Sequence, residues 1–157
     1  MSFRVSHIRD AKLVPWVNGK GQTRELARRE VNGALLYRIS VADVVEAGVR
    51  PVRPFVPMAF SGDDDAAAVN VSAPSQDFNV MSARGKAQAE VRVATQGFDE
   101  VLPELGFYYV AAGGFVFSPL GATLLETGTL VEAHGAQGGS ISIDGRGVLI
   151  CVRITIL

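Results

Sequence analysis

Arg38 and Ser40 stand two residues apart in "LLYRISVADVV" (Leu35–Val45), whose intervening positions are Tyr37, Ile39 and Val41. Alternation with period two is a strand signature, so Arg38 and Ser40 share one face and the apolar trio takes the other. A guanidinium turned inward needs an anion, because burying it unpaired is costly. A ligand carboxylate would satisfy its planar fork, and the Ser40 hydroxyl could add a hydrogen bond. The plainer reading leaves Arg38 in solvent or pairs it with Glu25 or Asp43. On pattern alone, the plainer reading is preferred.

Two further stretches carry groups that could do chemistry. "VPWVNGKGQTRE" (Val14–Glu25) gathers the only tryptophan, Trp16, with Asn18, Gly19, Gly21, Thr23 and Glu25. Glycines at that spacing let backbone N–H groups approach a ligand, or simply turn the chain between strands. "QDFNVM" (Gln76–Met81) sets Asp77 and Asn79 either side of Phe78, so that both polar groups fall on one strand face. Standing alone it reads as a strand start with Phe78 in the core. Glu25 and Asp77 are the carboxylates that a cofactor-free isomerase, lyase or hydrolase would use as general base.

Other chemistries find little material. The chain holds two histidines, His7 and His134, neither with a His or Cys neighbour at ligand spacing, so no metal site is expected. Asp63, Asp64 and Asp65 read as a solvated acidic loop rather than a Ca²⁺ site. No G-x-S-x-G elbow occurs, and Gly19–Gly21 lacks the helix of a phosphate-binding loop. Cys151, the single cysteine, lies in an apolar run and reads as a small core residue. No cofactor is expected.

The elements that position these groups are strands. With 157 residues, 48% hydrophobic and 20% charged, the chain suits one globular unit with a real core. Seventeen glycines punctuate short β-branched runs. "AEVRVAT" (Ala89–Thr95) and "GFYYVAAGGFVFS" (Gly106–Ser118) read as strands, the second turning at Gly113-Gly114. "ATLLETGTLVEA" (Ala122–Ala133) breaks at Gly128. "SISIDGRGVLICVRITIL" (Ser140–Leu157) reads as a hairpin around Asp144–Gly147, with Val148, Ile150, Val152, Ile154 and Ile156 on one face. "FDEVLPELG" has room for one short helical turn before Pro103. Four of seven prolines fall between Pro51 and Pro74, an irregular crossing. Many short strands between Gly-rich turns argue a jelly-roll sandwich or barrel.

A net charge of -1 without a basic stripe excludes nucleic acid as the expected partner; Ala27-Arg28-Arg29 is too short to track phosphates. No signal-peptide pattern or membrane-length apolar run is present, so the expectation is a soluble cytoplasmic protein without a membrane partner. The apolar alternation of the C-terminal strand is compatible with a homodimer.

Three segments in order, "PWVNGKGQTRE", "YRISVADV" and "SGD…DFNVMSARG", resemble the HutD/Ves family. Trp16, Asn18, Gly19, Gly21, Thr23 and Glu25 match its first motif, with Lys20 where the family has a middle glycine. Arg38, Ser40 and Ala42 match the second, with Tyr37 in place of tryptophan. Asp77, Phe78, Asn79, Met81, Arg84 and Gly85 match the third, and "LLETGTLV" is similar to a late turn lacking its Asp. The segment between the second and third motifs is shorter than the family pattern, near 48–76.

The resemblance implies an all-β, cupin-like double-stranded β-helix in a single unit over 1–157, with a two-cupin arrangement in one chain as one form of it. It further implies a metal-free binder that regulates histidine utilisation by holding a small carboxylate metabolite such as N-formylglutamate. It turns Arg38 and Ser40 toward the ligand, with Trp16, Asn18, Gly19, Thr23, Glu25, Phe78, Asn79 and Met81 completing the pocket. The rivals are the cofactor-free enzyme and a structural protein that pairs its sheet edges.

Overall fold

Strands dominate the computed structural model, which describes residues 1–17, 19, 21–44, 55–57, 59, 75–118, 120–135 and 139–157. In chain order they are β1 (Ser2–His7), β2 (Leu13–Pro15), β3 (Gly21–Val31), β4 (Ala34–Val44), β5 (Ser75–Ser82), β6 (Ala87–Val101), β7 (Leu105–Ser118), β8 (Leu124–Glu126), β9 (Thr129–His134) and β10 (Ser140–Ile156). A 3-10 turn, Ile8–Asp10, is the only helical element among the described residues. No described helix is long and apolar enough to cross a membrane. The shortened middle expected near 48–76, with Asp63–Asp65, lies almost wholly outside the described residues.

Contacts divide the chain into two compact units, Met1–Asp10 with Ser82–Leu157, and Ala11–Met81. The first holds a six-stranded antiparallel sheet ordered β1-β9-β7-β10-β6, with β8 on β7. The second holds a four-stranded sheet ordered β2-β3-β4-β5.

In the first unit the core gathers Tyr108, Val110, Phe115, Phe117, Val131, Ile141, Ile143, Leu149 and Cys151. Tyr108 meets Phe117 edge-on, with ring centroids 5.4 Å apart. Each such aromatic or branched side chain contributes about 1.5–3 kcal/mol on leaving water. Cys151 is buried among them, as its apolar run suggests, and burial pushes its thiol up to about 12. It stays a neutral thiol, a packing residue rather than a nucleophile.

The two expected hairpins within β7 and β10 are not there. β7 runs unbroken through Gly113-Gly114, and β10 runs unbroken through Asp144–Gly147. These glycines bend strands that stay paired: Arg146 lies opposite Gly114 and Gly147 opposite Gly113. A side chain at Gly147, whose φ is +142, would run into the carbonyl oxygen of Ala112. Close backbone approach at a bend therefore requires glycine here, and register shifts on both sides of β10 take up the extra residues. A paired bend and a two-residue turn ask for the same residue type, so the sequence pattern did not separate them. The turn expected in "FDEVLPELG" is also absent; Phe98–Val101 continues β6.

Other expectations hold. The break at Gly128 separates β8 from β9, and "QDFNVM" lies within β5. β4 covers the expected strand with Tyr37, Ile39 and Val41 buried, but burial does not alternate: Leu36, Ser40 and Ala42 on the other face are buried too. The reading of Val14–Glu25 as a turn between strands fits β2 and β3, which pair antiparallel around it, although the pattern sets no strand bounds there; β1 was not expected.

Candidate functional site

Pairing of β3 with β4 decides which side chains meet. Thr23 lies opposite Ala42 and Glu25 opposite Ser40, whereas Arg28 lies opposite Arg38. Directly opposed residues point to the same face, so Thr23, Glu25, Arg28, Arg38, Ser40 and Ala42 form one surface. Glu25 and Arg28 are three apart and would fall on opposite faces of a regular strand. The register shift between Glu25 and Ala27 inserts Leu26 as a bulge and turns Arg28 back onto the Glu25 face.

The result is a carboxylate held between guanidiniums. Arg38 Nε donates to Glu25 Oε2 at 2.7 Å, and Arg28 Nη1 lies 3.4 Å from the same oxygen. Arg28 also pairs with Glu30, whose hydrogen bond raises the Arg28 guanidinium above its ordinary value. Arg38 and Glu25 are partly sheltered, their side chains 29% and 37% exposed, and Ser40 beside them is buried. Of the partners the pattern allowed for Arg38, Glu25 is the one found.

Asp43 takes the opposite face. Gln76 and Gln22 donate to its two oxygens at 2.9 and 3.1 Å, with Arg24 3.9 Å away. The Gln76 hydrogen bond leads in holding the Asp43 carboxyl below its usual range. Because Gln76 reaches the Asp43 face, alternation along β5 puts Phe78 on that face as well and Asp77, Asn79 and Met81 on the other. Asn79 Nδ2 sits 3.5 Å from the Asp77 carbonyl oxygen, and Met81 is half exposed. Desolvation raises the Asp77 carboxyl above its ordinary value.

The Trp16 loop is a tight connection from β2 to β3. Trp16 N–H donates to the Gly21 carbonyl at 2.9 Å, and Gly19 N–H to the Trp16 carbonyl at 3.0 Å. Gly19 has φ +70, which glycine adopts without strain. The indole Nε1 donates to Thr23 Oγ1 at 2.8 Å. The ring covers Gly21 so closely that a Cβ there would lie 2.8 Å from it and 2.7 Å from the Asp43 carbonyl oxygen. Trp16 is thereby fixed beside the Thr23–Glu25 row, in the same unit as Arg38 and Ser40. Asn18 lies outside the described residues.

The structure thus brings Trp16, Thr23, Glu25, Arg38 and Ser40 together, and by alternation sends Phe78 to the other face. Sequence reasoning missed Arg28. Its signal was hidden because the bulge at Leu26, which nothing in "TRELARRE" marks, sets its direction.

Comparison with known proteins bears on these residues. The HutD family model matches residues 48–150, a span that includes the β5 segment and starts after the Trp16 and Arg38 motifs. HutD from Pseudomonas fluorescens SBW25, in a structure from a formate condition, superposes with a TM-score of 0.85 at 21% identity, covering 99% of this chain and 100% of that one. A conserved protein of unknown function from Pseudomonas aeruginosa PAO1 superposes with a TM-score of 0.83 at 20% identity, covering 98% and 99%. Both similarities report a shared fold, cupin-like and all-β. No curated protein matches the chain.

Proposed function

The chain belongs to the HutD family, which links it to histidine utilisation, and from that premise we propose that it is a cytoplasmic regulator that binds a small carboxylate metabolite on the Arg38–Ser40 face of β4. N-formylglutamate is the kind of ligand meant. One observation carries the reading: Arg38 already holds a carboxylate, that of Glu25, at 2.7 Å on a partly sheltered sheet face. Glu25 stands where a ligand carboxylate would stand. It has a second cation to go to, because Arg28 lies 3.4 Å from the same oxygen. An arriving carboxylate takes the Arg38 fork while Glu25 moves onto Arg28, so no charge is left unpaired. The Ser40 hydroxyl and Asn79 amide orient the ligand, and Trp16 and Met81 supply apolar wall.

Isothermal titration with N-formyl-L-glutamate, beside urocanate, histidine and glutamate, tests this. Saturable binding of the formylated acid that Arg38→Ala weakens by about 2–5 kcal/mol is expected, the range for truncating one partner of a desolvated charge pair. Equal binding by the Arg38→Ala protein would end the proposal.

One observation favours a second reading. The raised Asp77 carboxyl lies by alternation on the Arg38 face, and a carboxylate tuned upward beside an anion site suits a general base. Turnover of any of these compounds that disappears in Asp77→Asn would favour the cofactor-free enzyme.

A further inference from the structure

A second group of charges lies in the other unit, around a cleft of about 340 Å³. Arg92 on β6, Cys151 on β10 and Tyr108 on β7 stand in one row across three strands. Two residues along, on the same face, the row is Glu90, Arg153 and Gly106. Gly106 contributes no side chain, and the Pro103 ring takes its place: a Cβ there would lie 2.8 Å from that ring, so Pro103 and Tyr108 wall the cleft on the β7 side.

The first row is internally settled. Glu100 reaches in from the far half of β6, accepts from the Tyr108 hydroxyl, and accepts from Arg92 Nη2 at 2.7 Å. Arg92 is also laid over the Phe98 ring, 4.2 Å from its centroid. The second row is not settled. Glu90 and Arg153 are direct cross-strand neighbours, yet neither makes an ion pair with any described residue. Both are exposed at the rim of the cleft.

We propose that this cleft binds a zwitterionic α-amino acid, its carboxylate on Arg153 and its ammonium on Glu90. The charge balance selects the class. The lining holds two guanidiniums and two carboxylates, so a dianion would meet Glu90 and Glu100 and a dication would meet Arg92 and Arg153. Like charges brought together at an interface cost several kcal/mol. A neutral dipolar ligand meets neither repulsion, and opposed residues on neighbouring strands set anchors roughly 5 Å apart at Cβ. The site is separate from the Arg38 face and does not depend on the reading given to it.

Ligand-observed NMR of the full chain with the twenty L-α-amino acids tests the proposal. At least one should bind saturably, and its deaminated and decarboxylated counterparts should each bind at least about fivefold more weakly, a difference of roughly 1 kcal/mol. Arg153→Gln and Glu90→Gln change exposed rim residues and should each weaken that amino acid to a similar degree. Saturating N-formyl-L-glutamate should leave it bound, which separates this site from the Arg38 face. Absence of amino-acid binding, binding indifferent to both substitutions, or displacement by N-formyl-L-glutamate overturns the proposal.

Discussion

Each unit holds an arginine on a glutamate at 2.7 Å, but the two pairs are built differently. Glu100 has a side chain only 17% exposed and is held from both sides, by the Tyr108 hydroxyl on one oxygen and Arg92 on the other. Burial and the Glu100 hydrogen bond push the Tyr108 hydroxyl far above its usual range, so it remains a donor. Glu25 is 37% exposed and uses one oxygen for both of its cations, Arg38 close and Arg28 farther. A carboxylate fixed at both oxygens is scaffold. One that can pass between two guanidiniums is exchangeable, and exchange is what a carboxylate-binding site needs.

Substitutions can break this contrast. The largest expected effect is the loss of carboxylate affinity in Arg38→Ala by titration, about 2–5 kcal/mol, because the ligand's charge loses its partner. Next, Tyr108→Phe removes one of two partners of a sheltered carboxylate and should cost about 1–3 kcal/mol of stability in urea unfolding. If it costs nothing, Glu100 is as loosely held as Glu25 and the contrast fails. Glu25→Gln should change stability by less than about 1 kcal/mol, the range for a partly exposed pair. The same variant should tighten carboxylate binding, since the resident competitor loses its charge; weaker binding would show Glu25 to be a ligand contact instead.

The smallest effects lie in pH dependence. Asp43 is lowered from 3.8, so its contribution to stability is present above 3.8 and is lost as pH falls through its lower folded value. Asp77 is raised from 3.8, so its contribution is complete below 3.8 and is lost as pH rises through its higher folded value. Urea midpoints followed across the carboxylate range should show a steeper acid loss in the native chain than in Asp43→Asn. As pH rises from 3.8 through the raised Asp77 value, Asp77→Asn should lose less stability than the native chain. Parallel curves for native and variant would mean that neither group is coupled to folding.

Much of the candidate face was legible in single strands. Arg38, Ser40 and the buried Tyr37, Ile39 and Val41 follow from period-two alternation, which is a local property of one strand. The partner of Arg38 was among the possibilities but could not be chosen, because Glu25 and Asp43 differ only in which face the register gives them. Phe78 could be placed relative to Asp77 and Asn79, not relative to Arg38, until the Gln76–Asp43 hydrogen bond tied β5 to a face of β4. The charged cleft left no trace in the sequence: Glu90, Arg92, Glu100, Tyr108 and Arg153 are spread over three strands and meet only through cross-strand pairing.

The residue pattern by itself determined the all-β class, which residues of β4 share a face, the core placement of Cys151 and the family. These rest on periodicity, hydrophobicity and motif order, which the chain carries along its own length. Only the tertiary structure decided that glycines 113, 145 and 147 bend paired strands instead of ending them. It alone turned Arg28 onto the Glu25 face and gave Arg92 and Glu100 to each other. Register and bulges are non-local, set by whichever pairing buries the most apolar surface without an unpaired backbone group, and a one-residue shift reverses every side chain beyond it.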